Sequence, residues 1–230
     1  HCQLVDTTYY CVEGSAFDVG MESFAELPED SMRCLVFSSV IFSLTLPSMI
    51  AACLADALEV TLTEGDPAPI FEAPTTDGSV WRSEDHVGRK FIVVYFYPAD
   101  LTGGCTRQAC GFRDHMKELT DAGVEVVGVS GDSVVNHQLF TKVNSLNFSL
   151  LSDEDGKISK AFGVPVREGA TIMRMVDGVE RSLSRGVTAS RWTFLIDPDG
   201  RIVHKNTEVD AEHDSQKILE TVRRMTAQAE

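Results

Sequence analysis

The chain has 230 residues, room for one domain of about 150 residues and an appendage. Apolar residues at 43% and charged residues at 24% are those of an ordinary globular protein and exclude a collagen, a coiled coil or bulk disorder. Twenty basic residues against 35 acidic ones, a net charge of −15, argue against a nucleic-acid surface, and six cysteines are too few for a scaffold built on disulfides.

Composition divides the chain into three. Residues 1–31 hold seven acidic residues and no Lys or Arg, with neither a helical nor a strand period. Charge-biased segments of this kind rarely bury enough surface to fold, so a disordered or non-native acidic extension is expected. Residues 32–57 begin with Met32 and Arg33 and continue as 22 uncharged residues, Cys34 to Ala55. A short basic start, an apolar centre and small residues at the end are the layout of a secretory signal. Ile50-Ala51-Ala52-Cys53 resembles a bacterial lipobox, which implies lipid attachment at Cys53; cleavage after Ala55 or Ala57 is the alternative. The same run is long enough to span a bilayer at about 1.5 Å per residue. A buried core helix is the plainest reading, but Pro47 would interrupt it and it has no polar face. The segment predicts an exported, periplasmic or membrane-anchored protein, with a cytoplasmic one as the alternative. The acidic flank of residues 1–31 runs against export.

Residues 58–230 predict one α/β domain. Phe91 to Tyr97 is a continuous apolar, β-branched and aromatic run that reads as a buried central strand ended by Pro98. A helix is predicted from Thr106 to about Ala122, with Phe112, Met116 and Leu119 on one face and Gly123 as its stop. Val124 to Ser130 predicts a strand, Val134 to Val143 a helix, Phe148 to Leu151 a strand and Ile158 to Phe162 a short helix. Trp192–Ile196 and Arg201–His204 flank Asp197-Pro198-Asp199-Gly200, a hairpin with turn chemistry. A last helix is predicted from Asp214 to about Met225. The alternation implies a mixed central sheet flanked by helices on both faces. There is no internal repeat and no phosphate-binding glycine loop: Gly103-Gly104 lacks the lysine and the spacing.

The informative stretch is Pro98-Ala99-Asp100-Leu101-Thr102-Gly103-Gly104-Cys105-Thr106-Arg107-Gln108-Ala109-Cys110. A buried strand ends, a Gly-rich turn follows, and a cysteine stands where a helix begins. Free N–H groups and the positive end of the helix dipole meet there. Such positions favour thiolate, the nucleophilic form of cysteine. Thr102 stands at the turn, placed to hydrogen-bond the sulfur or a bound oxygen. The six histidines are dispersed without ligand spacing, so no zinc site is predicted from them.

These residues resemble the peroxiredoxins (the AhpC/TSA superfamily). Pro98, Thr102 and Cys105 reproduce the Pro-x-x-x-Thr-x-x-Cys motif, and Arg191-Trp192-Thr193-Phe194-Leu195-Ile196-Asp197 looks like the distal Arg-x-Thr-Phe-Leu-Ile-Asp motif. Cys110, five residues after Cys105, is typical of the bacterioferritin-comigratory-protein branch. The resemblance covers about residues 60–225. It implies a thioredoxin-like fold and thiol-dependent reduction of hydrogen peroxide and organic hydroperoxides, with no cofactor. By it, Cys105 attacks the peroxide and becomes a sulfenic acid, Thr102 orients the peroxide, Arg191 stabilises thiolate and leaving oxygen, and Pro98 shields the sulfur. Cys110 is the implied resolving thiol, and a thioredoxin-like dithiol the implied reductant, acting on a monomer or weak dimer. Two positions five apart on an ideal helix lie about 8.7 Å apart at Cα, beyond the span of about 4.4–6.8 Å that a disulfide allows. Turnover therefore requires the first helical turns to unwind.

The chain departs from the family in two places. Gln108 stands where many peroxiredoxins carry Glu, so a carboxylate partner for nearby cations is expected to be missing. Residues 165–190 match poorly; no site is assigned there, and Met173 and Met175 are expected to serve packing. A copper carrier on a similar fold, without turnover, is the competing class, but it gives Thr102 no purpose.

Overall fold

A computed structural model describes residues 60–228, which lie within one compact unit, Ala57–Glu230. The acidic extension 1–31, and the apolar segment 32–57 with Cys53, fall outside the described residues. Among the described residues no helix is long and apolar enough to cross a membrane.

The unit opens with a small antiparallel hairpin, β1 (Glu72–Pro74) and β2 (Val80–Arg82). The core sheet then begins with β3 (Phe91–Phe96), followed by helix α1 (Gly103–Asp121), β4 (Val124–Ser130), α2 (Val134–Asn144), β5 (Ser149–Ser152) and the short α3 (Lys157–Ala161). Four short strands come next: β6 (Val166–Glu168), β7 (Thr171–Val176), β8 (Val179–Ser184) and β9 (Val187–Ala189). The fold closes with β10 (Trp192–Ile196), β11 (Ile202–Asn206) and α4 (Asp214–Gln228). The central sheet has the order β11-β10-β3-β4-β5. β3, β4 and β5 run parallel, while β10 lies antiparallel to β3 and β11 to β10. This is the predicted mixed sheet of a thioredoxin-like fold.

β3 is central, and both of its faces are covered, which explains its unbroken apolar run. Ile92, Val94 and Phe96 pack with Val127, Val129, Phe162 of the turn after α3, and Trp81 of β2. Val93, Tyr95 and Tyr97 face the other way, onto Ala109, Phe112 and Leu119 of α1, Phe140 of α2, and Ile218, Leu219 and Val222 of α4. Tyr95 stacks on Phe112 with ring centroids 4.8 Å apart. Its register partner on β4 is Gly128, where a Cβ would come within 2.6 Å of the Tyr95 ring, so glycine there makes room for the aromatic layer. Phe112 is fully buried, and truncating it to Ala costs about 3–5 kcal/mol.

The ends of the elements follow local chemistry. The Ser133 hydroxyl accepts the N–H of Asn136 and caps α2. The buried Asp153 carboxylate accepts the N–H groups of Ile158 and Ser159, both at 2.9 Å, and so fixes the start of α3. Most predicted elements are present with ends moved by one or two residues. Two differences matter. First, α1 begins at Gly103, not Thr106: the Thr106 N–H already donates to the Thr102 carbonyl at 2.8 Å. Second, residues 165–190, read as matching the family poorly, form the hairpin β7–β8 and the pair β6–β9. Met173 and Met175 do not serve packing there. They point outward from β7, 49% and 67% exposed.

Candidate active site

Cys105 is the third residue of α1 and only 2% exposed. Its partner arrives from the far end of the chain. β10 pairs with β3 in the register Trp192↔Phe96, so Arg191, just before β10, stands beside the end of β3 from which the chain runs into α1. Arg191 Nη2 donates to Cys105 Sγ at 3.2 Å. Gly104 permits this approach: a Cβ there would meet Arg191 Nη2 at 3.2 Å, a tighter contact than most side chains tolerate. The thiol thus sits at a helix N-terminus with no acid in its first turn and a guanidinium against its sulfur.

The other Arg191 nitrogen, Nη1, donates to Gln108 Oε1 in a very short hydrogen bond. Gln108 Nε2 in turn donates to Asp214 Oδ2 at 2.8 Å, and the Thr193 hydroxyl donates to the same oxygen at 2.7 Å. Gln108 and Asp214 are each 1% exposed. Burial pushes the Asp214 carboxyl above the usual range, against the hydrogen bonds from Thr193 and Gln108 that hold it down. The carboxylate expected to be missing around Arg191 is therefore present one amide further on, supplied by α4.

The loop between β3 and α1 is pinned from below. Tyr97 Oη donates to Asp100 Oδ1 at 2.7 Å, and His137 Nδ1 lies 2.8 Å from Asp100 Oδ2; all three side chains are fully buried. His137 Nε2 faces the Leu151 carbonyl at 3.2 Å. Both ring nitrogens thus face acceptors, the pattern of an imidazolium. Burial alone would lower the His137 pKa, but the charge and hydrogen bond of Asp100 outweigh it, and the net direction is upward. The Asp100 N–H donates to Asp132 Oδ2 at 3.0 Å. Burial, with the charge of Asp100, raises the Asp132 carboxyl. Leu101 holds a left-handed φ of 54°, and its carbonyl accepts Arg174 Nε of β7 at 3.1 Å.

Of the residues singled out in the sequence, Cys105 and Arg191 are in contact. Pro98 is half-buried at the end of β3. Thr102 is the residue that precedes α1, but its hydroxyl donates to the Ala99 carbonyl at 3.0 Å and not to the sulfur. Cys110 lies on the same helix as Cys105; it is half-buried, its thiol faces Asn144 Oδ1 at 3.9 Å, and both cysteines are free thiols. Asp100, Asp132, His137, Arg174 and Asp214 were not legible as site residues. Only Gln108, noted as a departure, pointed toward any of them. Among the described residues no group of three or more His, Cys, Asp and Glu side chains is placed to hold a metal, so nothing in the site favours the copper-carrier reading.

The AhpC/TSA family profile matches residues 64–205. The putative peroxiredoxin Bcp of Coxiella burnetii is 41% identical over 143 residues, 62% of this chain and 87% of that protein. Peroxiredoxin Bcp of Escherichia coli K12 is 43% identical over 143 residues, 62% of this chain and 84% of that protein. Among solved structures, peroxidoxin BcpB of Mycobacterium tuberculosis superposes with a TM-score of 0.60 at 32% identity, over 71% of this chain and 98% of that one. The bacterioferritin comigratory protein of Xanthomonas campestris, described for its alkyl peroxide reduction activity, gives a TM-score of 0.55 at 28% identity, over 67% of this chain and 91% of that one.

Proposed function

Since this chain belongs to the AhpC/TSA family, we propose that its thiol peroxidase activity runs through Cys105, with hydrogen peroxide and organic hydroperoxides as substrates. The observation that carries the reading is the Arg191 guanidinium on a thiol at a helix N-terminus, 3.2 Å from the sulfur. The thiolate attacks one peroxide oxygen. An S–O bond forms as the O–O bond breaks, and the departing oxygen takes a proton and leaves as water or an alcohol. Cys105 becomes a sulfenic acid. Arg191 faces both the sulfur and the developing negative charge, the arrangement that lowers such a barrier. Thr102 orients the peroxide through its hydroxyl oxygen, which still has lone pairs to offer while its proton is held by Ala99. Pro98 shields the sulfur from water.

Cys110 then resolves the sulfenic acid. Its sulfur displaces the hydroxyl as water, and an S–S bond replaces the S–O bond. A thioredoxin-like dithiol returns both cysteines to thiols by exchange. On the pattern of residues 32–57 the protein is exported or anchored, with Cys53 as the lipid site. Support for organic hydroperoxides comes from the Xanthomonas relative and its alkyl peroxide reduction. The test is to mix reduced protein with one equivalent of hydrogen peroxide and a sulfenic-acid trap such as dimedone. The adduct is expected on Cys105; an adduct elsewhere, or none in a Cys110→Ser background, would refute the assignment.

A further inference from the structure

A chain of hydrogen bonds runs from the sulfur of Cys105 to a carboxylate on another helix. Arg191 carries only donors, so Gln108 must turn its Oε1 toward Nη1 and its Nε2 toward Asp214. The amide therefore has one orientation, set at one end by the guanidinium and at the other by the carboxylate. Gln108 is almost wholly buried, and a reversed amide would set donor against donor at Arg191 and acceptor against acceptor at Asp214. Asp214 is itself fixed twice. Thr193, two residues after Arg191 on β10, donates to the same oxygen, and Asp214 is the first residue of α4, where the helix dipole favours a negative charge.

Among the described residues no carboxylate forms an ion pair with Arg191. Arg191 gives Nη2 to the sulfur and Nη1 to residue 108, so the group at 108 orients the guanidinium without taking the donor that the sulfur uses. In this chain that group is the Gln108 amide.

We propose that Asp214 is a positioning residue for the Cys105 site, holding Arg191 against the sulfur through the Gln108 amide. The inference rests on the reading of Cys105 as the reacting thiol. It makes Gln108 the functional complement of Asp214: a Glu at 108 would set two carboxylates against each other, and a Glu at 108 facing an Asn at 214 would not.

The experiment uses the full chain and follows alkylation of Cys105 by iodoacetamide at one pH, read by peptide mass, with circular dichroism as the check on folding. Asp214→Asn is expected to slow alkylation about 10-fold, the scale of one lost charge-assisted hydrogen bond. Gln108→Met, of similar shape but unable to bond either neighbour, is expected to slow it comparably. The double variant Gln108→Glu/Asp214→Asn is expected to recover to within about 3-fold of wild type, because the carboxylate moves one link along the same chain. A purely structural Asp214 gives no such recovery. Wild-type rates in folded Asp214→Asn or Gln108→Met, or a double variant as slow as the singles, would overturn the proposal; if Asp214→Asn does not fold, Gln108→Met and the double variant decide. Peroxide turnover is measured alongside. An inert wild type with the alkylation pattern intact would defeat the peroxidase reading and leave the positioning role standing.

Discussion

Arg191 donates to the sulfur of Cys105 at 3.2 Å, although 86 positions separate them in the sequence. The contact is a product of strand register: β10 pairs with the central strand so that the residue before Trp192 reaches the point where α1 departs.

Gly104 lies between them. A methyl group there would press on Arg191 Nη2 at 3.2 Å, and the guanidinium is the part free to move. Gly104→Ala makes the guanidinium give by a few tenths of an ångström and is expected to lower kcat/KM for hydrogen peroxide by about 3-fold to 10-fold, less than the cost of a displacement near 1 Å. Stability should hold or rise by about 0.5–1 kcal/mol, the usual gain from Ala in a helix. Steady-state kinetics with urea unfolding checks both; wild-type turnover in the variant would contradict the role given to the approach.

The buried pair His137–Asp100 ties stability to pH. The folded His137 pKa lies above its ordinary 6.5. Its contribution is therefore complete below that value and is lost as pH rises through the folded pKa. Urea unfolding from pH 6 to 9 should show wild type losing stability relative to His137→Gln as pH rises. At pH 6 the variant should be about 3–5 kcal/mol less stable, because it strands a buried carboxylate. A difference that grows with pH would have the wrong sign for the pair.

Cys105 and Cys110 share one continuous helix, at a Cα separation of about 8.7 Å for ideal geometry. A disulfide between them requires the first turns of α1 to open. Hydrogen exchange on the oxidised protein should show protection lost across residues 105–112, and Cys110→Ser should instead accumulate overoxidised Cys105 under excess peroxide. Full protection in a sample with a proven Cys105–Cys110 bond would rule the opening out.

Arg174 reaches from β7 to the Leu101 carbonyl, at a residue held in the left-handed region. Arg174→Ala should lower kcat/KM about 3-fold to 10-fold by loosening the loop before Thr102, with a loss of about 1 kcal/mol or less in stability. If stability drops far more than turnover, the contact serves the hairpin and not the site.

The sheet, the helix after β3 and the Pro98-Thr102-Cys105 segment were legible because they are local: an apolar run, a Gly-rich turn and a motif within eight residues. Arg191 was legible only through its resemblance to a known motif. Asp214 and His137 were not, because a lone Asp at a helix start and a dispersed His carry no periodic signal. Their meaning comes from Gln108 and Asp100, 106 and 37 positions away. The hairpin β7–β8 was missed for a different reason. Its strands are exposed and mixed in polarity, so the alternation that marks a half-buried strand is weak, and Met173 and Met175 lie on its outer face.

The central claim is that one sulfur performs the chemistry. Peroxide consumption, followed in the presence of a thioredoxin-type dithiol for the wild-type chain and for Cys105→Ser, tests it most directly. The account predicts turnover in the first and a loss of at least about 1,000-fold in the second, the scale expected when the nucleophile of a covalent mechanism is removed. Equal rates in the two proteins would contradict it.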